Sequence, residues 1–408
     1  MAKKEIRGFE QLAKEQSLYP QEAPAKIRKS NNQLNIGLPV ENSNQENRVA
    51  LKPEAVQVLV ANGHNVLVQR GAGVSAGYSD TQYSEAGGEI TDDVPRVFST
   101  DILLKVEPPS SKETELLKPS GTLVSAFQGG SQSVSFIEAL CKKRTTAIGY
   151  EFLEDKVGGL PLVRAMSEIA GSTVLQIAGE YLASPNKGQG VILGGVTGVP
   201  PTKVMIIGAG TVSEFAARAA LGLGVDIRIF DDHIYKLRRI KQTLGHQVYT
   251  STFDHAALTD SVKDADVLIG ALRPEKGRSR CVITEEMVQM MKQGAVIIDV
   301  SIDQGGCVET SEMTSHIKPV FEKYGVIHYC VPNIASRVAR TASIAISNIL
   351  TSIVLRIGEE GGMDDMIYVN PWFRKGVYTY RGSLTNLGLA KKFNIPYKDL
   401  NLLMAARI

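Results

Sequence analysis

The feature that most constrains this chain is a glycine turn set between an apolar run and a helical pattern. Lys203–Ile207 has the composition of a short buried strand, and residues 208–213, GAGTVS, follow it directly. Apolar residues then recur at helical spacing as far as Leu223. In such a unit the first glycine permits a tight turn, the second lets a pyrophosphate approach the backbone, and the helix N-terminus offers free N–H groups. We therefore predict a dinucleotide site at Gly208, Gly210, Thr211 and Val212.

An acidic residue indicates which dinucleotide binds. Asp231 lies 21 residues beyond Gly210, at the end of the next predicted strand. A carboxylate there accepts hydrogen bonds from both ribose hydroxyls and repels a 2′-phosphate, which favours NAD over NADP. Asp232 either strengthens that bias or faces solvent. Ser213 replaces the third glycine of the usual fingerprint, and we expect serine to fit there with a slight shift.

Strands and helical patterns alternate on both sides of a dense apolar helix predicted at Ser167–Leu182. The candidate strands before it are Asn65–Gln69, Ile102–Val106, Thr122–Phe127 and Ala147–Glu151. A second series begins at Lys203 and includes Val248–Thr250, Ala295–Val300 and Val326–Tyr329. Such alternation implies parallel pairing with right-handed crossovers. We predict an α/β fold with two doubly wound Rossmann-like domains, separated by a cleft and linked by long helices.

The predicted domains follow from where the alternation stops and restarts. Residues 1–33 form a polar N-terminal extension, residues 34–160 together with 340–408 form a substrate domain, and residues 161–339 form the NAD-binding domain. We expect helices from roughly Arg340 onward to fold back onto the first domain. Polar side chains interrupt the apolar stretch Ala342–Ile357, which we interpret as a buried helix rather than a membrane span.

Composition excludes several classes of function. The chain has 408 residues, 43% hydrophobic, and a formal net charge of +2, which gives no electrostatic footprint for nucleic acid. Its four cysteines are widely spaced, so we expect buried thiols in a reducing cytoplasm rather than disulfides or zinc. No metal-binding motif is present, and the polar N-terminus does not resemble a secretory signal. We predict a cytoplasmic protein that binds neither metal nor membrane.

A second glycine-containing turn marks another candidate position. Asp303 follows the predicted strand Ala295–Val300 and precedes Gly305 and Gly306. Ligands bind at the carboxyl ends of parallel strands, which makes Asp303 a functional candidate. The alternative is an aspartate that only caps the turn.

Long ordered motifs between about Leu34 and Tyr397 resemble alanine dehydrogenases and the soluble subunit of proton-translocating transhydrogenase. The motifs are ENRVALKP at 46–53, GAG at 71–73, YSD at 78–80, MSEIAG at 166–171, GGVTGVPP at 194–201, DVSIDQGGCVET at 299–310 and HYCVPN at 328–333. The last of these favours the alanine dehydrogenase branch. The resemblance implies reversible, NAD-dependent oxidative deamination of L-alanine, or a similar small 2-amino acid, to the 2-keto acid and ammonia.

The resemblance also implies roles for individual residues. Arg48 and Lys105 would hold the substrate carboxylate, a task suited to the fork of an arginine. Lys105 lies in the apolar run Leu103–Val106, where a role explains it better than a strand-end lysine in water. Ser167, Asp303 and Asn333 match positions near the nicotinamide and the substrate.

The chain departs from the family at position 128. The family places an acid–base histidine there, whereas this chain has Gln128, and an amide cannot carry a proton near neutral pH. We expect Asp303 to activate the attacking water, directly or through water held by Gln128, with its pKa raised by burial. His328 either lies near the cleft or, as we favour, is a hydrogen-bonded core histidine. The other histidines are predicted in turns or on helix surfaces: His64, His233, His246, His255 and His316.

Two other hypotheses are compatible with the sequence. One is an opine-type dehydrogenase resembling the saccharopine enzymes, and the other is a transhydrogenase-like or non-catalytic NAD(H)-binding protein. The joint presence of Arg48, Lys105, Asp303 and Asn333 argues against a pure binder. The resemblance further suggests a homo-oligomer, hexamer or dimer, with the C-terminal helices and the Ser167 helix as contacts.

Overall fold

The computed structural model describes residues 32–41, 45–127, 133–155, 157–273 and 280–405. Strands β1 to β15 span, in chain order, Asn35–Leu38, Asn65–Gln69, Glu89–Thr91, Ile102–Leu104, Thr122–Ser125, Thr146–Gly149, Lys203–Ile207, Asp226–Phe230, Tyr249–Ser251, Val267–Gly270, Val296–Asp299, Val320–Lys323, Val326–Tyr329, Val377–Tyr380 and Ser383–Leu384. Helices α1 to α15 span Pro53–Ala61, Asp80–Glu85, Val94–Phe98, Ser111–Leu116, Val134–Lys142, Pro161–Leu182, Thr211–Leu223, Ile234–Leu244, His255–Asp264, Glu285–Gln289, Ala339–Glu359, Met363–Val369, Pro371–Arg374, Leu387–Phe393 and Leu400–Ala405.

The strands form two separate, largely parallel sheets. The first has the order β15-β14-β6-β5-β4-β1-β2-β3 and the second has the order β12-β13-β11-β10-β7-β8-β9. Strand order reverses in the middle of each sheet, as in doubly wound folds, and helices connect most consecutive parallel strands. The predicted α/β fold with two Rossmann-like units is confirmed.

The end of the chain differs from the prediction. Residues beyond Arg340 are not all helical, because β14 extends the first sheet antiparallel to β6, and β15 pairs antiparallel to β14. Val377–Tyr380 is a run of β-branched and aromatic residues, all four buried, which suits a strand covered on both faces better than a helix. The short edge strands β3 and β12 also escaped prediction, and β6 is shorter than expected because Tyr150–Phe152 turn into a 3₁₀ helix.

Helix α11 holds the segment that follows β1. By length and hydropathy alone Ile334–Glu359 is long and apolar enough to cross a bilayer, a test that core helices also pass. Its polar interruptions have a structural explanation. The hydroxyls of Ser343 and Ser347 accept hydrogen bonds from the backbone N–H groups of Val49 (2.9 Å) and Lys52 (3.1 Å). These serines are fully buried, so they satisfy backbone groups that would otherwise be costly to bury.

Helix α6 lies directly against α7, the helix that follows the glycine turn. A Cβ added to Gly171 would lie 2.4 Å from the carbonyl oxygen of Val212 and 2.8 Å from Cβ of Phe215. Glycine therefore allows the two helix backbones to approach each other. Ser213, in the first turn of α7, is fully buried. The position of the predicted phosphate-binding turn thus depends on contact between α6 and α7.

Replacing Gly171 with alanine should push α6 away from α7. We expect the free energy of unfolding to fall by about 2 kcal/mol, because overpacking outweighs the helix propensity gained. NADH should also bind more weakly, since the displaced backbone belongs to the turn. Urea unfolding and fluorescence titration with NADH measure the two effects.

The matched control is Gly179→Ala on the same helix. An added Cβ at this position would meet Leu193 at an ordinary 3.8 Å. This variant should be as stable as the parent or more stable, with unchanged NADH affinity. Equal effects of the two substitutions would contradict the proposed importance of the α6–α7 contact.

Candidate active site

The two glycines of the turn have different surroundings. Gly208 has a φ of +104°, and an added Cβ would lie 2.5 Å from the carbonyl oxygen of Ala271. Gly210 is the residue before α7, and an added Cβ would meet nothing within 4 Å. The first glycine is therefore required by the turn itself, whereas the second leaves open space in front of the first N–H groups of α7. A pyrophosphate fits that arrangement.

Asp231 fastens the turn to the end of β8. Its carboxylate accepts hydrogen bonds from the backbone N–H groups of Ala209 (2.8 Å) and His233 (2.9 Å), and the residue is 1% exposed. Arg239 donates to the carbonyl oxygen of Ala209 from the other side, at 2.9 Å. Asp231 thus shapes the turn directly, a structural role that the sequence did not indicate. Its predicted bond to the ribose stays a prediction.

Asp232 and His233 extend this acidic edge. Nδ1 of His233 lies 2.7 Å from the Asp232 carboxylate and 3.1 Å from that of Asp231. Within the described residues, these three side chains also form a group whose ligand atoms lie close enough to hold a metal ion. The group stands beside the turn at the carboxyl end of β8, where a ribose of the predicted dinucleotide would lie.

Across the cleft, Arg48 is buried and held by Glu46. Nε of Arg48 lies 2.7 Å from one oxygen of Glu46, and Nη2 lies 2.5 Å from the other. Glu46 also accepts a hydrogen bond from the Arg48 backbone N–H at 2.9 Å. Burial alone would raise the pKa of Glu46, but the guanidinium lowers it below its ordinary value. This bidentate pair fixes the plane of the guanidinium.

One edge of that guanidinium points elsewhere. Nη1 of Arg48 lies 3.3 Å from the sulfur of Met166 on α6. A thioether is a weak acceptor, so Nη1 retains most of its capacity to bind a stronger one. Ser167, the next residue along α6, is half-buried. Met166 was not predicted to contribute, although it is the first residue of the MSEIAG motif at 166–171.

Lys105 is also buried, at 2% exposure, and it pairs with Glu41. Its Nζ lies 2.8 Å from Oε2 of Glu41. The same carboxylate accepts from the backbone N–H groups of Val106 at 2.6 Å and Glu107 at 3.2 Å. Burial raises the pKa of Glu41 to about 7, although Lys105 acts in the opposite direction. The reading of Lys105 as a strand-end lysine in water is wrong.

Two carboxylates and two cations therefore form one buried cluster: Glu41, Glu46, Arg48 and Lys105. Tyr150 adjoins it, and its hydroxyl donates to the carbonyl oxygen of Val106 at 2.9 Å. Burial raises the pKa of Tyr150 well above its ordinary value. The two glutamates were missed by sequence reasoning. Their signal was available, since both stand within eight residues of Arg48 in the segment after β1.

Asn333 joins the two walls of the cleft. Its side-chain N–H donates to Oε2 of Glu46 at 2.8 Å, so it contacts the cluster through the partner of Arg48. The carbonyl oxygen of Asn333 lies 2.8 Å from Nε2 of His316, whose backbone N–H donates to Gln45 at 2.7 Å. The prediction that His316 lies in a turn or on a helix surface missed this contact, because residues 311–319 fold back across the cleft.

The other histidines divide between core and surface. His328 is fully buried and bonded at both ring nitrogens, to Thr310 (2.8 Å) and to the carbonyl oxygen of Val326 (3.0 Å). The expectation of a hydrogen-bonded core histidine is confirmed. His64 is 2% exposed rather than at the surface, and its Nδ1 accepts from the backbone of Leu34. Cys281 is exposed, contrary to the expectation of buried thiols, whereas Cys307 and Cys330 are buried.

Asp303 lies on the second sheet's side of the cleft, in a 3₁₀ turn at Ile302–Gln304. Its side chain is exposed, yet loss of hydration raises the pKa of its carboxyl above the ordinary value. The loop is anchored by fully buried Asp299, which accepts from Ser301 Oγ at 2.7 Å and from the Cys307 backbone at 3.0 Å. Asp299 was not predicted as an anchor. Gln128 lies outside the described residues.

Comparisons with known proteins agree with this arrangement. A family model described as "Alanine dehydrogenase/PNT, N-terminal domain" matches residues 37–170, and the corresponding "C-terminal domain" matches residues 174–387. The alanine dehydrogenase of Bacillus subtilis (strain 168) is 39% identical over 363 residues, which cover 89% of this chain and 95% of that protein.

Solved structures give the same result. An L-alanine dehydrogenase superposes with a TM-score of 0.84 at 34% identity, covering 88% of this chain and 99% of that one. A transhydrogenase from Sinorhizobium meliloti superposes with a TM-score of 0.74 at 22% identity, covering 86% and 99%. The second likeness concerns the fold alone.

Replacing Glu46 with glutamine should destabilise the fold. The substitution leaves the buried Arg48 guanidinium without its counter-charge, and breaking a buried pair in this way costs about 3 kcal/mol. Urea unfolding measures the loss. As the control, Glu89→Gln removes an exposed ion pair with Arg96 and should leave the unfolding midpoint unchanged. A Glu46→Gln protein as stable as the control variant would contradict the assigned role.

Proposed function

The chain belongs to the alanine dehydrogenase/PNT family, and on that premise we propose that it catalyses the reversible NAD-dependent oxidative deamination of L-alanine, or a similarly small 2-amino acid. The products are the 2-keto acid and ammonia. Beyond the relatives, one observation carries the proposal. Two buried cations stand in one cluster: Arg48, which Glu46 fixes along one edge and whose other edge lies beside α6, and Lys105, whose partner Glu41 also acts electrostatically on Arg48. Such a pair suits a small carboxylate substrate.

The substrate carboxylate would bind Nη1 of Arg48 and Nζ of Lys105. Each cation already has a carboxylate partner, so the cluster carries no net charge when both glutamates are ionised. The substrate therefore gains directed hydrogen bonds from donors already held in place, rather than attraction to an isolated charge. Asn333, held through Glu46, would orient the amino or keto group.

The residues of the second sheet fit NAD. Gly208, Gly210, Thr211 and Val212 would hold the pyrophosphate, because the space at Gly210 faces the N-terminus of α7. Asp231 would hold a ribose, with Asp232 beside it, and these carboxylates disfavour the 2′-phosphate of NADP. Ser167 and Asp303 would lie near the nicotinamide. When bound, that ring would accept the hydride from the substrate Cα.

Proton transfer falls to the chain's own residues. We assign Asp303, Lys105 and Gln128 to this step, with Gln128 holding a water by its amide. Loss of hydration raises the pKa of Asp303, which makes its carboxylate a better base for a water molecule. Asp303 keeps enough exposure to exchange that proton with solvent.

We also propose the division into residues 34–160 plus 340–408 and residues 161–339, with 1–33 as an extension. Sheet membership supports it, because β14 and β15 belong to the first sheet whereas β7 to β13 form the second. A cytoplasmic homo-oligomer, hexamer or dimer, completes the proposal. Its support is the family and the free thiols among the described cysteines.

The direct test mixes the purified protein with NADH, ammonia and pyruvate and follows nicotinamide absorbance. We expect oxidation of NADH, the reverse reaction with alanine and NAD, and much weaker activity with the NADP pair. Activity confined to another keto acid would change the substrate but not the reaction. NADH binding without turnover of any keto acid, including those that form opines with amino acids, would contradict the dehydrogenase proposal.

Replacing Asp303 with asparagine should lower kcat for alanine oxidation by about 10²-fold or more, since general base catalysis contributes on that scale. KM for alanine should change little, because Arg48 and Lys105 bind the carboxylate on the other wall. Steady-state kinetics measure both constants. Glu312→Gln, an exposed change in the same region, is the control. A rise in KM with kcat preserved would assign Asp303 to binding instead.

A further inference from the structure

The glutamine at position 128 leaves one proton of the reaction without an acceptor on the substrate side of the cleft. In the proposed reaction, water adds to the carbon of an imine and loses two protons on becoming the keto oxygen; Asp303 accepts one of them from the opposite wall, and a second acceptor is required. The family places a histidine at this position, and Gln128 cannot accept a proton near neutral pH. The inference below rests on the proposed function and concerns which side chains meet this requirement on the substrate side of the cleft.

Glu41 has the geometry of a proton acceptor for Lys105. Oε2 of Glu41 lies 2.8 Å from Nζ of Lys105, and both side chains are almost completely buried, at 5% and 2% exposure. The backbone N–H groups of Val106 and Glu107 fix the carboxylate in place. Lys105 would contact the substrate, so a proton taken up at Nζ has a direct path to Glu41.

The other ionisable groups near Glu41 are less suitable. Both carboxylate oxygens of Glu46 already accept hydrogen bonds from Arg48, and one of them also accepts from Asn333. Tyr150 donates its hydroxyl proton to the carbonyl oxygen of Val106. Glu151, which acts electrostatically on Tyr150, accepts from the backbone of Phe127 at 2.8 Å. Glu107 contributes its backbone N–H to Glu41.

We propose that Glu41 and Lys105 act as a proton-sharing pair that replaces the family's histidine when water adds to the imine. Glu41 acts through Lys105 and is a positioning residue in this scheme, while Lys105 contacts the substrate. The pair is suited to this exchange because moving one proton from Nζ to the carboxylate converts two buried charges into two neutral groups. A poorly hydrated site favours that conversion.

The step balances without any further reactant. A proton moves from Nζ of Lys105 to Glu41, which leaves a neutral amine and a carboxylic acid. As the water oxygen bonds to the imine carbon, the C=N π electrons move to nitrogen and one O–H bond breaks, its proton passing to Nζ. Nζ then gives that proton to the substrate nitrogen, and the hydroxyl of the intermediate gives its proton to Asp303 as the C–N bond breaks, so that ammonia and the keto acid form. The proton held by Glu41 returns to Nζ, which restores the pair, and Asp303 releases its proton to solvent.

The pair also predicts the pH at which activity fails. Burial raises the pKa of Glu41 to about 7, so below that pH the carboxylate already holds a proton and cannot take one from Lys105. The rate of alanine oxidation should therefore decline as the pH falls through about 7. Glu46, Arg48 and Tyr150 face Glu41 and keep their charge states over that range, by the directions of their own pKa shifts.

The test compares full-length Glu41→Gln, Glu41→Asp and the exposed control Glu115→Gln with the parent protein. Alanine oxidation is measured as kcat and KM across the pH range in which the proteins stay folded. We expect Glu41→Gln to lower kcat by about 10²-fold and to change KM by less than about fivefold. The acidic limb of the profile of kcat against pH should move to higher pH, because the proton of Lys105 must then leave to solvent. Glu41→Asp should recover part of kcat and keep an acidic limb.

A second measurement does not depend on turnover. With NADH and oxamate bound, the parent protein should show an infrared carboxylic-acid band that grows as the pH falls through about 7. The band should shift in frequency in Glu41→Asp and should be unchanged in Glu115→Gln. The Glu41→Asp variant keeps a carboxylate at this position and therefore provides the test even if Glu41→Gln does not fold.

The outcomes separate the two proposals. Parent protein that turns over alanine, together with a Glu41→Gln variant that keeps kcat and the same acidic limb, overturns the Glu41 assignment alone. Absence of the infrared band overturns it as well. Parent protein that turns over no 2-amino acid overturns the proposed function, and the inference with it.

Discussion

The buried pair of Arg48 and Glu46 is the interaction on which the cleft depends. Glu46 binds one edge of the guanidinium with both of its carboxylate oxygens and also accepts from Asn333, so it connects the segment after β1 to the second sheet's side of the cleft. Buried ions are stable only when paired and fully hydrogen-bonded. The position of each wall is thus tied to the same carboxylate, and the substrate meets donors whose orientation is already set.

The dinucleotide half could be predicted because its signals are local. Gly208, Gly210 and the following helix lie within one stretch of chain. The tight turn requires the first glycine, the second leaves space for a pyrophosphate, and both requirements follow from the local sequence pattern. The second role of Asp231 could not be read in this way. Its bond to Ala209 forms only when β8 lies beside β7, and sequence spacing does not reveal such a contact.

In the substrate-binding half, the residues that contact the predicted cations could not be identified from the sequence. Arg48 and Lys105 were identified through resemblance, but their partners Glu46 and Glu41 were not, because a cation in a sequence does not specify which carboxylate reaches it. The contact of His316 with Asn333 escaped prediction for the same reason, since it depends on a loop fold. Strands β14 and β15 were missed because the hairpin that they form joins the sheet through the pairing of β14 with β6, more than two hundred residues earlier.

The serines in helix α11 and in the turn just before it have a consequence for synthesis on the ribosome. Ser336, Ser343 and Ser347 bind the amides of residues 47, 49 and 52 across 289 to 295 residues of chain. The nascent chain therefore carries an unfinished first sheet while the intervening unit is translated and able to fold. Until the final seventy or so residues emerge, apolar β1 and its neighbours lack their cover, and this interval is when the chain is most exposed to aggregation or most dependent on chaperones.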